Sequence, residues 1–443
     1  MRRRIHLVSL GCPKNRVDAE MMAHLALEEG YELTGDPAEA QVIVVNTCGF
    51  IEEARRESVR TILEMAGAKQ WGRCRTLVVA GCLAERSAGE IGAELPEVDR
   101  VIGLGRLEAL RAALAGAEPP RGRADRRVLF PCAGYGRIVD GPGHTAFVKV
   151  GDGCSRRCAF CAIPAIRGPG RSRPLGSILR EARDLARAGA REIVLVSQDL
   201  TAWGRDLEPR RCLRHLVEQL ARIEGLAWIR LLYLYPDRTV LDLAGLLAAG
   251  PPVLPYVDLP LQHVTDRMLR IMRRGHGRDR IERLLGTLRD RVEGLTVRTT
   301  FVVGHPGETA RDFDALLAFF EEHRPERIGL LRYSEEEGTA AATMPGKVAR
   351  AESYRRWRLA ASVAARILLR HNRALRGVHA EVMVDGPSSA GPYLIDARLP
   401  SQAPGVDGKV VIARAGRPLS PGELVRVRVR RAMGPDLLAD LVP

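Results

Sequence analysis

The sequence predicts an α/β protein in three parts: an N-terminal parallel α/β unit, a complete or partial (β/α) barrel, and a small OB-like barrel of short strands. Three observations carry this. Strand-like apolar runs alternate with helix-compatible stretches from the first residues onward, the pattern of parallel sheets. A second, longer series of such repeats follows a segment rich in Pro, Gly and Arg. From Val378 the pattern changes to short strands packed closely along the chain. The expected divisions are 1–118, a linker at 119–143, a barrel at 144–376 and a tail at 377–443. At roughly 100–200 residues per domain, 443 residues exceed a single core.

The first unit contains three similar junctions. IHLVSLGCPKN places Cys12 after an apolar run, QVIVVNTCGF does so for Cys48, and TLVVAGCLAER for Cys82. Helix-compatible sequence follows each: VDAEMMAHLALEEG, IEEARRESVRTILEMAG and a stretch beginning AERSAGE. The carboxyl ends of parallel strands share one edge, so these three distant cysteines are expected to be neighbours. In the second unit AFVKV, REIVLVSQ, WIRLLYLYP, VDLPLQH, TVRTTFVVG and RIGLLRY are strand candidates. Gln198, Tyr235, His263 and Arg298 fall on or near their ends, where barrel sites are built. After the helical ESYRRWRLAASVAARILLRHNRALRG come EVMVD, YLIDARL, KVVIARAG and ELVRVRVRRAMG. Alternation puts Val425, Val427 and Val429 on one face and Arg426, Arg428 and Arg430 on the other.

The net charge is +14, with 68 basic residues, which invites a nucleic-acid partner. Five of the 68 are lysines (Lys14, Lys69, Lys149, Lys347, Lys409), so part of the basicity is a compositional habit of an Arg-rich chain. From Arg376 onward there are nine basic and seven acidic residues, a net of 9 − 7 = +2. That near balance suits a protein partner better than an RNA-gripping module. No apolar run reaches the ~18–20 residues of a membrane helix, so a cytoplasmic chain with reduced cysteines and no membrane partner is expected.

The chemistry concentrates at GCSRRCAFC, where Cys154, Cys158 and Cys161 lie in a CxxxCxxC pattern. Zinc sites more often use paired CxxC units and four protein ligands, and a structural thiol loop is the bland alternative. A 4Fe–4S cube held by three thiolates leaves one iron open to a small molecule. Cys12, Cys48 and Cys82 admit the same two readings, buried hydrophobes or a second three-thiolate site. Cys74, Cys132 and Cys212 show no such pattern.

The CxxxCxxC spacing, with Phe160 before its last cysteine and at the end of a first barrel strand, resembles the radical S-adenosylmethionine superfamily. With a cysteine-bearing first unit and an OB-like tail, the whole chain is similar to the methylthiotransferases, which replace C–H by C–S–CH3. The resemblance implies a radical barrel, a tail of the TRAM type, and two 4Fe–4S clusters held by Cys154, Cys158, Cys161 and by Cys12, Cys48, Cys82. It also implies S-adenosylmethionine as methyl donor and radical source, a low-potential electron donor and the iron–sulfur assembly machinery.

GCPKNRVDAE, LPLQHVTDRMLRIMRRG and YSEEEGTAA are similar to the branch acting on an aspartate of small-subunit ribosomal protein S-twelve, free or within the subunit. Competing readings are a transfer-RNA methylthiotransferase with the same machinery and a non-catalytic iron–sulfur protein that binds RNA. Arg16, where an apolar residue is usual, and His305, in place of an aromatic, depart from the branch. Gly304, Pro306, Gly307 and Glu308 are expected to shape a turn beside the cofactor, or simply a loop. Phe160, Gln198 and Arg298 are candidate cofactor contacts, although polar residues at strand ends are common in barrels. His263 is a candidate for placing substrate, with a hydrogen-bonding role in the fold as its alternative.

Overall fold

The computed structural model describes residues 3–118, 127–132, 135–413 and 416–442. Part of the expected linker at 119–143 lies outside them. The first unit is a five-stranded parallel sheet of β1 (Arg3–Ser9), β2 (Tyr31–Leu33), β3 (Val42–Thr47), β4 (Thr76–Gly81) and β5 (Arg100–Ile102). Its order is β2-β1-β3-β4-β5, so the three strands that precede the cysteines are adjacent. Val42, Ile43, Val44 and Val45 are all buried because helices cover both faces, the reason such a strand reads as a continuous apolar run. The short β2 and β5 were not anticipated; each is three residues long, too short for periodicity to reveal. The helical stretch after β4 starts earlier than expected, at Cys82, and splits into Cys82–Arg86 and Ala88–Glu94.

The second unit begins with β6 (Thr145–Lys149), followed by a small hairpin of β7 (Gly151–Asp152) and β8 (Arg171–Ser172) that brackets the cysteine loop. Then come β9 (Glu192–Val196), β10 (Trp228–Leu231), β11 (Val253–Asp258), β12 (Thr296–Val303) and β13 (Arg327–Arg332). With β6 they form one parallel sheet in the order β13-β12-β11-β10-β9-β6, which is a partial barrel. One expectation is corrected: the strand after Pro252 is VLPYVD, and most of VDLPLQH lies beyond it. Pro260 cannot donate to a ladder, and Gln262 rejoins β12 only as an isolated bridge to Phe301, at φ 72°. Arg298, the third residue of β12, belongs to the amino-terminal half of its strand.

Alternate strand residues divide the sheet into two faces. Ala146, Val148, Ile193, Leu195, Ile229 and Val257 pack under the helices, while Phe147, Val194, Trp228, Leu254 and Tyr256 form the concave face. An open barrel leaves that face to be covered from outside. Val17 covers it from the N-terminal unit, and Met383 and Ala403 from the tail. The tail is a closed barrel of β14 (His379–Pro387), β15 (Ile395–Arg398), β16 (Val410–Ile412), β17 (Leu424–Met433) and β18 (Asp436–Leu441). In β17 Val425, Val427 and Val429 are buried and Arg426, Arg428 and Arg430 exposed, as the alternation requires. Charge locks this barrel to the sheet: Arg398 reaches Glu192 at 2.6 Å and Asp385 at 2.9 Å, and Glu192 also pairs with Arg230 at 2.8 Å. No helix among the described residues is long and apolar enough to cross a membrane.

Candidate functional site

Cys12 precedes the helix Pro13–Glu28, Cys48 follows β3, and Cys82 is the first residue of its helix, so all three lie at one sheet edge. Glycines allow the backbones to approach. A Cβ on Gly11, at φ +88°, would lie 2.7 Å from Cys48 Cβ, and one on Gly49 would lie 2.9 Å from Leu83 Cα and 3.1 Å from the Cys82 carbonyl carbon. Asn15 staples the strand ends together, its Nδ2 donating to Leu10 O at 2.7 Å and to Thr47 O at 3.1 Å. This accounts for the Asn of the Pro-Lys-Asn run.

The second trio sits on the loop between β7 and the helix Ile163–Arg167. Cys154 N donates to Gly168 O at 3.0 Å, and Ala159 is held on both sides, donating to Met272 O at 3.0 Å and accepting from Ala341 N at 2.8 Å. Arg274, nearly fully buried, donates to Cys158 Sγ at 3.2 Å and to Pro260 O at 2.6 Å. Both Arg274 and Arg156 lie over the Tyr235 ring, at 4.4 and 3.6 Å from its centroid. Burial pushes the Cys154 thiol up to about 11 and that of Cys161 to about 12.

Arg167 joins the two trios. It leaves the helix after the CxxxCxxC loop, donates to Cys82 Sγ at 3.3 Å, and pairs with Asp152 at 2.9 Å and Asp18 at 3.1 Å. Asp152 is two residues before Cys154, and Asp18 lies on the helix that follows Cys12. Lys149, the last residue of β6, bonds both aspartates, and Gln198 Nε2 donates to Asp152 Oδ1 at 3.2 Å. Burial works against the Asp152 carboxylate, yet Lys149 and Arg167 hold it below the usual range. Burial likewise tends to raise Cys12, but Lys14 and Arg167 outweigh it and bring that thiol down. Cys82 is pushed up by burial to about 12. Arg167, Asp152, Asp18, Lys149 and Arg274 were not singled out from the sequence, although scarce lysine was a usable signal: two of the five, Lys14 and Lys149, are buried here.

The donor sets fit iron–sulfur cubes better than single ions. Among the described residues, the one group of three His, Cys, Asp or Glu donors mutually within 4.8 Å is Glu282, Glu322 and His323. Neither cysteine trio is that tight, whereas tetrahedral zinc, about 2.3 Å from each sulfur, would draw them to roughly 3.8 Å from one another. Three thiolates on separate irons of a cube stand wider apart. Positive side chains beside Cys12, Cys82 and Cys158 complement the anionic charge of such a group.

Gln198, just past β9, has its Oε1 buried without a hydrogen-bond partner, an acceptor left free at the barrel mouth. Phe160 packs against the cluster of Met268, Met272 and Val302, as does Tyr333. His305 is buried edge-on to Phe160 at 6.1 Å and to Tyr333 at 5.2 Å, taking the packing position of an aromatic ring. Gly304, Pro306, Gly307 and Glu308 form a turn in which the buried Glu308 carboxylate accepts from Gly304 N and pairs with Arg356 at 3.1 Å. His263 Nδ1 accepts from Val264 N and Thr265 N, so the ring caps its own loop. Arg298 pairs with Asp258 at 2.9 Å and with Asp407 of the tail at 3.6 Å. Arg16 donates to Asp140 O at 2.5 Å and fastens the first helix to the segment before β6. Cys74 lies in the first unit's own core, and Cys132 and Cys212 are exposed.

Comparison with known proteins matches three families along the chain: the uncharacterized protein family UPF0004 over residues 4–103, the radical SAM superfamily over 148–320 and the TRAM domain over 377–442. A ribosomal protein uS12 methylthiotransferase RimO from Sorangium cellulosum is 46% identical, the alignment covering 99% of this chain and 91% of that one. Its namesake from Geobacter sulfurreducens is 42% identical over 99% and 98% of the two chains. Among solved structures, the radical S-adenosylmethionine methyltransferase TsrM from Kitasatospora setae superposes with a TM-score of 0.55, at 17% identity over 77% of each chain. At that identity the likeness is one of fold.

Proposed function

The chain belongs to the radical S-adenosylmethionine family of ribosomal protein uS12 methylthiotransferases, and on that premise we propose that it installs C–S–CH3 on the β-carbon of an aspartate of small-subunit ribosomal protein S-twelve. Residues 1–118 carry the second cluster, 144–376 the radical chemistry and 377–443 the TRAM barrel, with 119–143 as linker. Cys154, Cys158 and Cys161 hold one 4Fe–4S cluster, and Cys12, Cys48 and Cys82 the other. When bound, S-adenosylmethionine supplies a methyl group from one molecule and, by one-electron reductive cleavage of another, a radical able to take hydrogen from unactivated carbon.

The chain's own residues supply placement and exclusion of water. The observation that carries the reading is the Arg167–Cys82 hydrogen bond at 3.3 Å from a helix that begins two residues after Cys161. It makes the two cysteine trios neighbours across a buried ionic network, as a reaction that unites carbon and sulfur requires. The free Gln198 Oε1 suits the ammonium group of the cofactor, and Phe160 with Met268, Met272 and Val302 offers it an apolar wall, next to the Gly304, Pro306, Gly307 turn that follows β12. Glu308 and Arg298 act through what they hold, the one fixing that turn and the other tying the concave face to the tail. Val17, Met383 and Ala403 close the open barrel, which keeps water from a reactive intermediate.

A low-potential donor in the cytoplasm would reduce the clusters, and the iron–sulfur assembly machinery would load them. The test is mass spectrometry on a deletion strain. One aspartate of S-twelve should lose a gain of about 46 Da, the replacement of H by SCH3. Loss of 2-methylthioadenosine from transfer RNA, with that aspartate still modified, would transfer the assignment to the RNA-directed reaction.

A further inference from the structure

Lys14 lies in the first turn of the helix Pro13–Glu28, two residues from Cys12, and is almost wholly buried. Its Nζ stands 3.3 Å from the centroid of the Tyr233 ring. Tyr233, at φ 62°, follows the carboxyl end of β10, so the ammonium is at the barrel mouth. Among the described residues it forms no ion pair with a carboxylate. The nearby acids are taken: Asp18 and Asp152 by Lys149 and Arg167, and Asp258 by Arg298 and the Tyr233 amide. Three buried cations, Lys14, Lys149 and Arg167, thus face two buried aspartates, and Lys14 is the one left without a carboxylate, with the Cys12 thiol and the Tyr233 ring beside it. A ring face offsets part of the cost of burying an ammonium but does not replace an anion.

We infer that Lys14 receives the side-chain carboxylate of the substrate aspartate. This rests on the proposed function. The reacting β-carbon is bonded directly to that carboxylate, so a cation gripping it fixes the carbon within one bond of the anchor. Lys14 stands beside Cys12, one of the proposed ligands of the second cluster, and Tyr233 is separated by one residue from Tyr235, which lies under Arg274 and Arg156 of the other. A carboxylate held there presents its β-carbon between the two sites. The same contact makes Lys14 a determinant of specificity, because the neutral amide of an asparagine would offer it no carboxylate.

The test is binding. Anaerobic holoenzyme with S-adenosylmethionine and no reductant is titrated with ribosomal protein S-twelve and with its variant carrying Asn at the modified aspartate. The wild-type chain should prefer the Asp form by about tenfold or more, as for a desolvated charge pair. In Lys14→Met and Lys14→Gln the two forms should bind within about twofold of each other. Equal binding of both forms to the wild type, or a preference retained in both variants, overturns the inference. Failure of both variants to load iron overturns it too, making Lys14 a cluster residue. A wild-type chain that never modifies S-twelve would instead sink the functional reading.

Discussion

Arg86 donates to the Glu336 carboxylate at 2.6 Å, and through this pair the barrel takes hold of the helix that Cys82 begins in another unit. The same Arg86 Nη1 donates to Gly49 O at 3.0 Å, next to Cys48, from the helix that Cys82 begins. Glu336 also accepts from Arg55 and, at 2.5 Å, from Ser334 Oγ. Five residues on, Ala341 N donates to Ala159 O inside the CxxxCxxC loop. The YSEEEGTAA segment therefore bonds to the helix that Cys82 begins and to the loop that carries Cys154, Cys158 and Cys161, and acts as a spacer between them.

Loosening that spacer should uncouple the two halves of the reaction. In Glu336→Gln, 5′-deoxyadenosine formation should continue while methylthio product per 5′-deoxyadenosine falls by about tenfold or more, since misplacement by about 1 Å is that costly. An unchanged ratio would show that the spacing is set elsewhere.

The two trios should fail differently. Replacing Cys154, Cys158 and Cys161 by Ala should remove about half the bound iron and all 5′-deoxyadenosine formation. Replacing Cys12, Cys48 and Cys82 should remove a similar share but leave that cleavage in place. Normal methylthio transfer by the second variant would reduce those residues to core cysteines.

Arg167→Met leaves Asp18 and Asp152 with Lys149 as their shared cation. A buried network broken on one side typically costs about 3–5 kcal/mol, so the melting temperature should drop clearly. The cation also stabilises added electrons near Cys82, so the midpoint potential of the second cluster should become more negative, read by redox titration of its paramagnetic signal. A potential that does not move would confine Arg167 to holding the units together.

Burial, aided by the charges of Arg274, Arg280 and Arg156, outweighs the Arg274 backbone beside the ring and pushes His276 down to about 4. The unfolded chain takes up its proton near pH 6.5 while the folded one refuses it until about pH 4. Stability from this group is therefore complete above pH 6.5 and declines below it, by up to roughly 3 kcal/mol near pH 4. Melting curves at pH 7 and pH 5 should show a smaller drop for His276→Leu than for the wild type. Parallel drops would assign the acid sensitivity to other groups.

The sequence by itself determined the three-part order, the six clustered cysteines and the Val/Arg faces of β17. These follow from local properties, since strand period, thiol spacing and the shared carboxyl edge of parallel strands need no knowledge of what packs opposite. Only the tertiary structure decided that Arg167 bonds Cys82 across 85 positions and that Glu336 meets Arg86 across 250. It also decided that Arg298 and Glu308 are held by Asp407 and Arg356, which come from the tail and from the long helix Arg350–Ala374. A charged residue looks the same in sequence whether it faces water or a buried partner. What distinguishes Arg167 and Lys14 among 68 basic residues is the low-dielectric surroundings that distant segments build around them, and those arise only when the units close on one another.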